Sequence, residues 1–459
     1  MKRPTPVNSS LRSLLTRVLP RGALLLSVLT FASYAMGLVR DRIFAQTYGA
    51  GIDLDAYNAA FQIPELALDV LVASGLVAPF IPIFTGLRAE SDEAAERFAR
   101  TVLTAAVLVM SVAVALLFLF APQTAAIAAP GFDAAERALY VDLFRVMCIT
   151  PVIFAASITL GEVLVARQRF LFYGLAPVLY NAGIVLGTVL LAGTMGIFAA
   201  AIGAIVGALL HLGIRIIGIA RTDVRFRPSF AFREGSFVGF VRLMVPKMVS
   251  HPIEPMLFLF FTAVATTLGE GSVSSLSFAR NFQSVPVVLI GVSFSLAVFP
   301  SLSAAWAAGD RAGYLRIVTT NVATIAALTV AAAIGLAVVG ELAIRVLLGG
   351  GAFDAEDIER TALILAAFAI SVPFDALAHP LSRAIYATKN TILQVLASLV
   401  GLATTVGATL LLVDSAGILA IPFGFAIGAA VKVAALTIAL GFRLRATRPM
   451  AAEPRPPSG

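Results

Sequence analysis

The residues able to do chemistry in this chain are charged groups set within or against long apolar runs. Arg40, Asp41 and Arg42 end one such run, and Asp55 opens the next. Glu65 and Asp69 are four apart, hence on one helical face. Lys247, His251 and Glu254 recur at i, i+4 and i+7, again a single stripe. Arg280, the pair Asp375 and His379, and Lys432 complete the set. No Walker loop, nucleophile elbow or metal-spaced cluster accompanies them, and the three histidines fall on separate runs. No catalytic residue, metal or cofactor is therefore expected, and the chain does not read as an enzyme. What remains is the binding of charge. Guanidinium groups suit phosphate, which they grip with two parallel hydrogen bonds, and carboxylates on the same walls suit a coupling ion or proton. Ionisable groups at membrane depth are costly, which makes each a functional candidate by default.

The elements that must hold these groups are membrane spans. Of 459 residues, 59% are apolar and 13% charged, about half the usual charged share, and the mean hydropathy is +0.95. A soluble globule of this size needs more charge to cover its surface, and disorder, collagen and coiled coil are excluded by the same composition. A single cysteine, Cys148, rules out a disulfide framework or a cysteine-based metal site. The runs are too long for barrel strands, so the fold class is an all-α integral membrane protein. Twelve spans are expected near 22–45, 56–87, 99–120, 139–166, 170–192, 197–219, 237–267, 273–304, 315–340, 359–387, 391–413 and 417–441. The basic segment before Gly22 looks like the start of a signal peptide. No small-residue cleavage site closes the run, however, so it reads as a retained first span.

Arginine and lysine collect in alternate connections: Arg88/Arg97/Arg100, Arg167/Arg169, Arg221/Arg225/Arg227/Arg233, Arg311/Arg316 and Arg383/Lys389. By the positive-inside rule these face the cytoplasm, as do both termini. The expected organisation is an N-terminal six-helix bundle (1–220), a basic linker lying on anionic headgroups (221–235), a C-terminal six-helix bundle (236–442) and a tail (443–459). The bundles read as a parallel repeat, because Pro64 and Pro286, and Pro151 and Pro373, are each 222 residues apart. Repeats of this kind are typical of transporters that hold substrate between two halves, here in a central polar cavity with proline-bent helices along its wall. Blander readings stand beside these. Arg40 with Asp41 is equally an interfacial ion pair, Asp142 and Arg145 pair with each other, and Glu254 pairs with Lys247. Gly183/Gly187, Gly203/Gly207 and Gly424/Gly428 serve close packing.

The stretch Gly37-Leu38-Val39-Arg40-Asp41, Ala45, Tyr48-Gly49-Ala50-Gly51, Asp55-Ala56-Tyr57 and Phe61-Gln62-Ile63-Pro64 resembles the opening motif of the MurJ/MviN family of lipid II flippases. Gly271-Ser272-Val273, Arg280, Pro286, Gly291-Val292 and Pro300-Ser301-Leu302-Ser303 resemble its eighth-helix pattern. Arg169-Phe170, Pro177 and Asn181 are similar to further family positions, as are Leu381-Ser382-Arg383, Tyr386-Ala387 and Lys389-Asn390-Thr391. The resemblance runs from Gly22 to Phe442. It implies a V-shaped cavity between two bundles and outward movement of an undecaprenyl-pyrophosphate-linked peptidoglycan precursor in the cell membrane. Implied partners are that glycolipid, the membrane and cell-wall synthesis proteins, with no nucleic acid. The family's essential arginine falls on Arg40, its helix-two aspartate on Asp55, its small alanine on Ala45, and its helix-eight arginine on Arg280 or the adjacent Asn281.

Substrate-binding candidates are thus Arg40, Asp41, Arg42, Asp55, Arg280 and Lys247. An inside-negative potential favours export of an anionic headgroup by about 2.3 kcal/mol per charge per 100 mV. Return of the empty carrier then needs an ion or proton, for which Asp55, Glu65, Asp69, Glu254 and Asp375 are candidates. The chain departs from the family at Tyr34, where an arginine is usual, at Leu68-Asp69, which replaces another, and in ending after twelve spans. A flippase for a different polyprenyl-linked oligosaccharide and a non-transporting scaffold of the cell-wall machinery are the alternatives.

Overall fold

The computed structural model describes residues 21–222, 227–250 and 253–446. Runs this apolar form helices because only a helix or a closed barrel satisfies backbone N–H and C=O groups inside lipid. The described residues are helical from end to end, with short breaks. Span one is Arg21–Tyr48. Span two runs through Ile52–Leu68, a π-helical turn at Asp69–Ala73 and Ser74–Glu90. Span three is Asp92–Leu119, span four Ala134–Met147 continued by Ile149–Ala166, span five Phe170–Met195 and span six Phe198–Ala220. Span seven is two shorter helices, Gly235–Ser250 and Ile253–Ala265. Span eight joins Ser272–Pro286, a second π-helical segment at Val287–Val292 and Ser293–Ala307. Span nine is Arg311–Leu347. Span ten is Ala355–Ala369 and Val372–Ala387, bent by 43°. Spans eleven and twelve are Ile392–Ala416 and Ala420–Ala446.

Among the described residues, nine helices are long and apolar enough to cross a membrane, ten if the bent pair is one span. Two facts reconcile that number with the expected twelve. Spans eleven and twelve are contiguous through Gly417 (φ +54) but fold back on each other, with Gly424 against Thr409 and Gly401 against Lys432. Span seven is broken, so neither half reaches full length. Leu190, Val338 and Leu411 are more than 70% exposed, as a lipid-facing surface requires. The chain is a multi-pass membrane protein.

The chain divides into two compact units. The first is Met1–Ser274 with Leu347–Asp354; the second is Ser275–Val346 with Ala355–Gly459. Compactness therefore places span seven with the preceding spans, whereas the sequence halves part at 221–235. The reason is packing: Gly235–Ser250 lies on Ser74–Glu90, and Ile253–Ala265 on Ile52–Leu68. In the first unit, Phe80, Phe84 and Phe98 form a stacked and tilted aromatic core that Phe240 closes edge-on. Spans five and six meet along glycine: a Cβ on Gly183 would lie 2.3 Å from Gly207 Cα, and one on Gly187 2.4 Å from Gly203 Cα. In the second unit, Tyr314 is fully buried among Leu302, Ile385 and Leu436, and its hydroxyl donates to the Ala384 carbonyl at 2.7 Å.

Two further sequence readings, of the linker and of the Asp142–Arg145 pair, meet the structure here. The end of the linker is docked on span three: Ser229 N–H donates to Thr104 Oγ1 at 3.1 Å, and Arg97 pairs with Glu234 at 3.3 Å. Arg225 lies outside the described residues. Asp142 and Arg145 are both exposed, and Arg145 sits over the Phe118 ring at 5.5 Å instead of pairing with its helical neighbour.

Candidate functional site

Near the end of span one the chain positions a guanidinium. Arg40 Nε and Nη2 donate to Asp41 Oδ1 at 3.0 and 2.7 Å, and Nη1 donates to Asn181 Oδ1 of span five at 3.1 Å. Asn181 is oriented by its own Nδ2, which donates to the Pro177 carbonyl at 3.1 Å, so its oxygen must face the arginine. Asp41 is buried, while the Arg40 side chain keeps 27% of its surface open. Three of the five guanidinium N–H groups are thus used by Asp41 and Asn181, and two are left over. Tyr57 and Tyr180 lie within electrostatic reach, and Ala45 packs without any exposed surface. Of the two sequence readings of Arg40, the ion pair with Asp41 is present, and the guanidinium keeps donors to spare beside it.

A cavity of about 250 Å³ opens in the same unit, walled by Phe61 and Glu65 of span two, Pro151 and Phe154 of span four, Tyr180 of span five and His211 of span six. Pro151 cannot donate to the Met147 carbonyl, and the Thr150 hydroxyl takes that acceptor at 2.8 Å instead. Glu65 is within electrostatic reach of both Asp69 and Arg40. The cavity is below the usual size of a ligand pocket. That volume suits a few waters or a small ion and is too small for a glycolipid headgroup.

The other expected residues are dispersed. Asp55 is 1% exposed, and its Oδ1 accepts the Ser274 backbone N–H at 2.7 Å together with the Ser274 hydroxyl. It caps the first turn of span eight from across the unit. Arg42 is exposed and donates to the Leu347 carbonyl at 2.9 Å. There it joins Gln46, whose carbonyl accepts from Ala352 N–H at 2.9 Å, in holding the segment Leu347–Asp354. Asp69 begins the π-helical turn of span two, and Glu254 is exposed in the first turn of its helix. In the second unit Arg280 is half-buried. Gln283, 1% exposed, donates to the Ser371 hydroxyl at 3.3 Å and to Asp375 Oδ2 at 3.4 Å, joining spans eight and ten. The side chain of Lys247 and all of His251 lie outside the described residues.

Glu162 of span four and Arg215 of span six, both buried, are the pair that sequence reasoning passed over. Their signal was present: an ionisable residue interrupting each apolar run, with His211 and Arg215 four apart on one face. Both lie toward the basic ends of their spans, where charge is ordinarily assigned to the interface.

A solved structure of lipid II flippase MurJ in an inward closed conformation matches this chain with a TM-score of 0.80 at 23% identity, over 91% of this chain and 87% of that one. An inward-facing multidrug resistance transporter of the MATE family, in the MOP superfamily, matches with a TM-score of 0.77 at 13% identity, over 91% and 96%. These likenesses show the fold. The probable lipid II flippase MurJ of Rickettsia prowazekii (strain Madrid E) is 26% identical over 412 residues, 89% of this chain and 81% of that protein. The corresponding protein of Thermotoga maritima is 28% identical over 361 residues, 79% and 72%. The family model described as lipid II flippase MurJ matches residues 44–451, which is nearly the whole chain, and the chain therefore belongs to that family.

Proposed function

We propose that the protein is a lipid II flippase, carrying the undecaprenyl-pyrophosphate-linked peptidoglycan precursor from the inner to the outer leaflet by alternating access. The observation that carries this reading is the family match across 44–451. The half-buried Arg40, held by Asp41 and Asn181 with two N–H groups to spare, supplies the chemistry. A guanidinium fixed in this way offers a pyrophosphate oxygen a charge-assisted hydrogen bond without first having to be ordered. Arg280 is proposed as a second phosphate ligand. Asp41 and Asn181 act as positioning residues, and Asp55 and Arg42 hold the ends of spans rather than the substrate.

The six-plus-six bundles about the 221–235 linker, the cytoplasmic placement of both termini and association with cell-wall synthesis proteins belong to the same proposal. The two π-helical segments fall in spans two and eight, which the repeat makes equivalent. Such segments are frequent at functional sites and suit helices that must flex. The decisive experiment is complementation of a flippase-depleted strain, paired with leaflet-resolved transport of lipid II in vesicles containing the purified protein. Growth with lipid II transport supports the reading. Transport of another polyprenyl-linked oligosaccharide, with lipid II left in place, would move the protein to the alternative substrate. Neither activity at normal protein level would leave the scaffold reading.

A further inference from the structure

Spans four, five and six of the first unit enclose a second polar cluster that substrate binding does not use. Ser157 is fully buried, and its hydroxyl is bonded to His211 Nδ1 at 2.7 Å. The Ser157 carbonyl accepts Arg215 Nη1 at 2.5 Å, and the guanidinium lies over the Tyr173 ring at 5.0 Å. Arg215 is 5% exposed, and its Nε has no hydrogen-bond partner among the described residues. Glu162 is 2% exposed, and its buried Oε2 likewise has none among the described residues. The two charges feel each other electrostatically, yet no ion pair closes between them. Each has instead been left with hydrogen-bonding capacity facing the protein interior, where an uncompensated charge is expensive.

The arrangement is built into the backbone. A Cβ on Gly161 would meet Arg215 Nη1 at 2.5 Å and Cζ at 2.7 Å, so glycine beside Glu162 opens the slot in which the guanidinium rests. The cluster also borders the cavity, through His211. His211 is part of the cavity wall and packs edge-on against Phe154, another wall residue, at 5.0 Å. From there Ser157 and Glu162 follow along span four, and Arg215 follows His211 one turn on along span six. The titratable groups on the elements packed around Glu162 are few. Span six brings His211 and Arg215, span five Tyr173 and Tyr180, and span two Tyr57, Glu65 and Asp69. Glu96 and Arg100 of span three and Arg167 after span four are engaged with one another at 2.6 and 3.8 Å.

We propose that Glu162 is a proton-binding site of the transport cycle, with Arg215 as the positioning residue that alternates between the Ser157 carbonyl and the Glu162 carboxylate. In the arrangement seen, the carboxyl holds its proton and Arg215 is turned to Ser157. On release, the Glu162 O–H bond breaks and the proton leaves to water in the cavity. The carboxylate then takes Arg215 as its ion-pair partner, and Arg215 gives up the Ser157 carbonyl. A proton thus selects between two packings of spans four and six, which a carrier needs on its empty return. The transport role rests on the flippase reading; proton binding does not.

The test has two arms for that reason. Infrared difference spectra of the purified protein in lipid nanodiscs, taken across a pH titration, should show a carboxylic-acid C=O band that disappears in Glu162→Gln. Glu162→Asp should retain a band at a shifted frequency. Gly161→Ala, which displaces Arg215 but keeps the carboxyl, should shift the midpoint at which the band titrates. In vesicles, the dependence of lipid II transport on a proton gradient should be lost in Glu162→Gln while transport driven by potential persists. A titrating band together with no lipid II transport in the parent would refute the flippase reading and leave the proton site standing. A spectrum of Glu162→Gln identical to the parent's would overturn the proposal, as would an unchanged gradient dependence. So would the absence of the band at every pH, the mark of a permanently ionised Glu162 bridged to Arg215 by water.

Discussion

Replacing Asp55 distinguishes a residue that holds the fold from one that touches substrate. Its carboxylate accepts the Ser274 N–H at 2.7 Å and the Ser274 hydroxyl, and the N–H groups of Gly271 and Val273 also face it. These donors belong to the start of a helix, where the first N–H groups have no intrahelical partner. Each hydrogen bond to a charged group is worth about 1.5–3 kcal/mol, so the two direct ones amount to about 3–6 kcal/mol. Asp55→Ala strands a Ser274 N–H that has no access to solvent, and should cost the upper part of that range. Asp55→Asn keeps an acceptor oxygen in the same place but loses the charge, which accounts for roughly half the strength of such bonds. Its cost should be about 1.5–3 kcal/mol. Thermal unfolding of purified protein in one detergent should therefore rank parent, then Asn, then Ala. Complementation should follow that ranking, with Asp55→Asn active at permissive temperature. In a double-mutant cycle, Ser274→Ala should couple to Asp55→Ala and not to Arg40→Ala. The reasoning fails if Asp55→Ala unfolds with the parent, or if Asp55→Asn is as stable as the parent yet transports nothing. The second result would make the carboxylate a ligand of substrate or ion.

Arg40→Ala should abolish complementation at normal protein level, and Arg40→Lys should restore it only in part, because an ammonium cannot bind bidentately; normal growth of Arg40→Ala would remove Arg40 from the site. Gly183→Ala places a Cβ 2.3 Å from Gly207 Cα and should destabilise by about 1–3 kcal/mol through overpacking. Gly193→Ala, with nothing within 4 Å, is its neutral control in the same unfolding assay. A membrane-impermeant thiol reagent applied to intact cells should modify Thr194→Cys and spare Arg233→Cys. Cys148 is 1% exposed and should give no background, and the reverse labelling pattern would invert the topology.

Much of the architecture was legible because lipid imposes it. A run of some twenty apolar residues has few options other than a helix, and every expected span corresponds to helix in the structure. Span seven is the exception in form, two short helices in place of one. Its membership of the first unit was not legible, because it depends on contacts with spans two and three that no local pattern encodes. The same limit applies to the site. Helical spacing exposes neighbours on one face, so Glu65 with Asp69 was visible. Asp55 meets a serine 219 residues away and Arg42 a carbonyl 305 residues away, and nothing in either residue's own helix announces the partner. Glu162 and Arg215 were missed for a related reason: their meeting is between spans, and each by itself looks like a charge near an interface.

Depth in the membrane is therefore a weak criterion for sorting these ionisable groups, and unspent hydrogen-bonding capacity is a better one. Asp55 is buried deeply, but its oxygen is fully engaged by the helix start it caps. Asp375 accepts from Gln283, a bond that serves to join two helices of its unit. Arg40 is different, since three donors fix its plane and two remain. Glu162 is different again, since its buried Oε2 has no hydrogen-bond partner among the described residues. A group whose bonds are complete gains nothing from a ligand, whereas a preorganised or unsatisfied one gains when the ligand arrives. By that measure the proposed anion contact falls on Arg40 and the proposed proton contact on Glu162, two separate residues of the first unit. A carrier whose empty return is to be controlled independently of its cargo needs those two functions on separate residues.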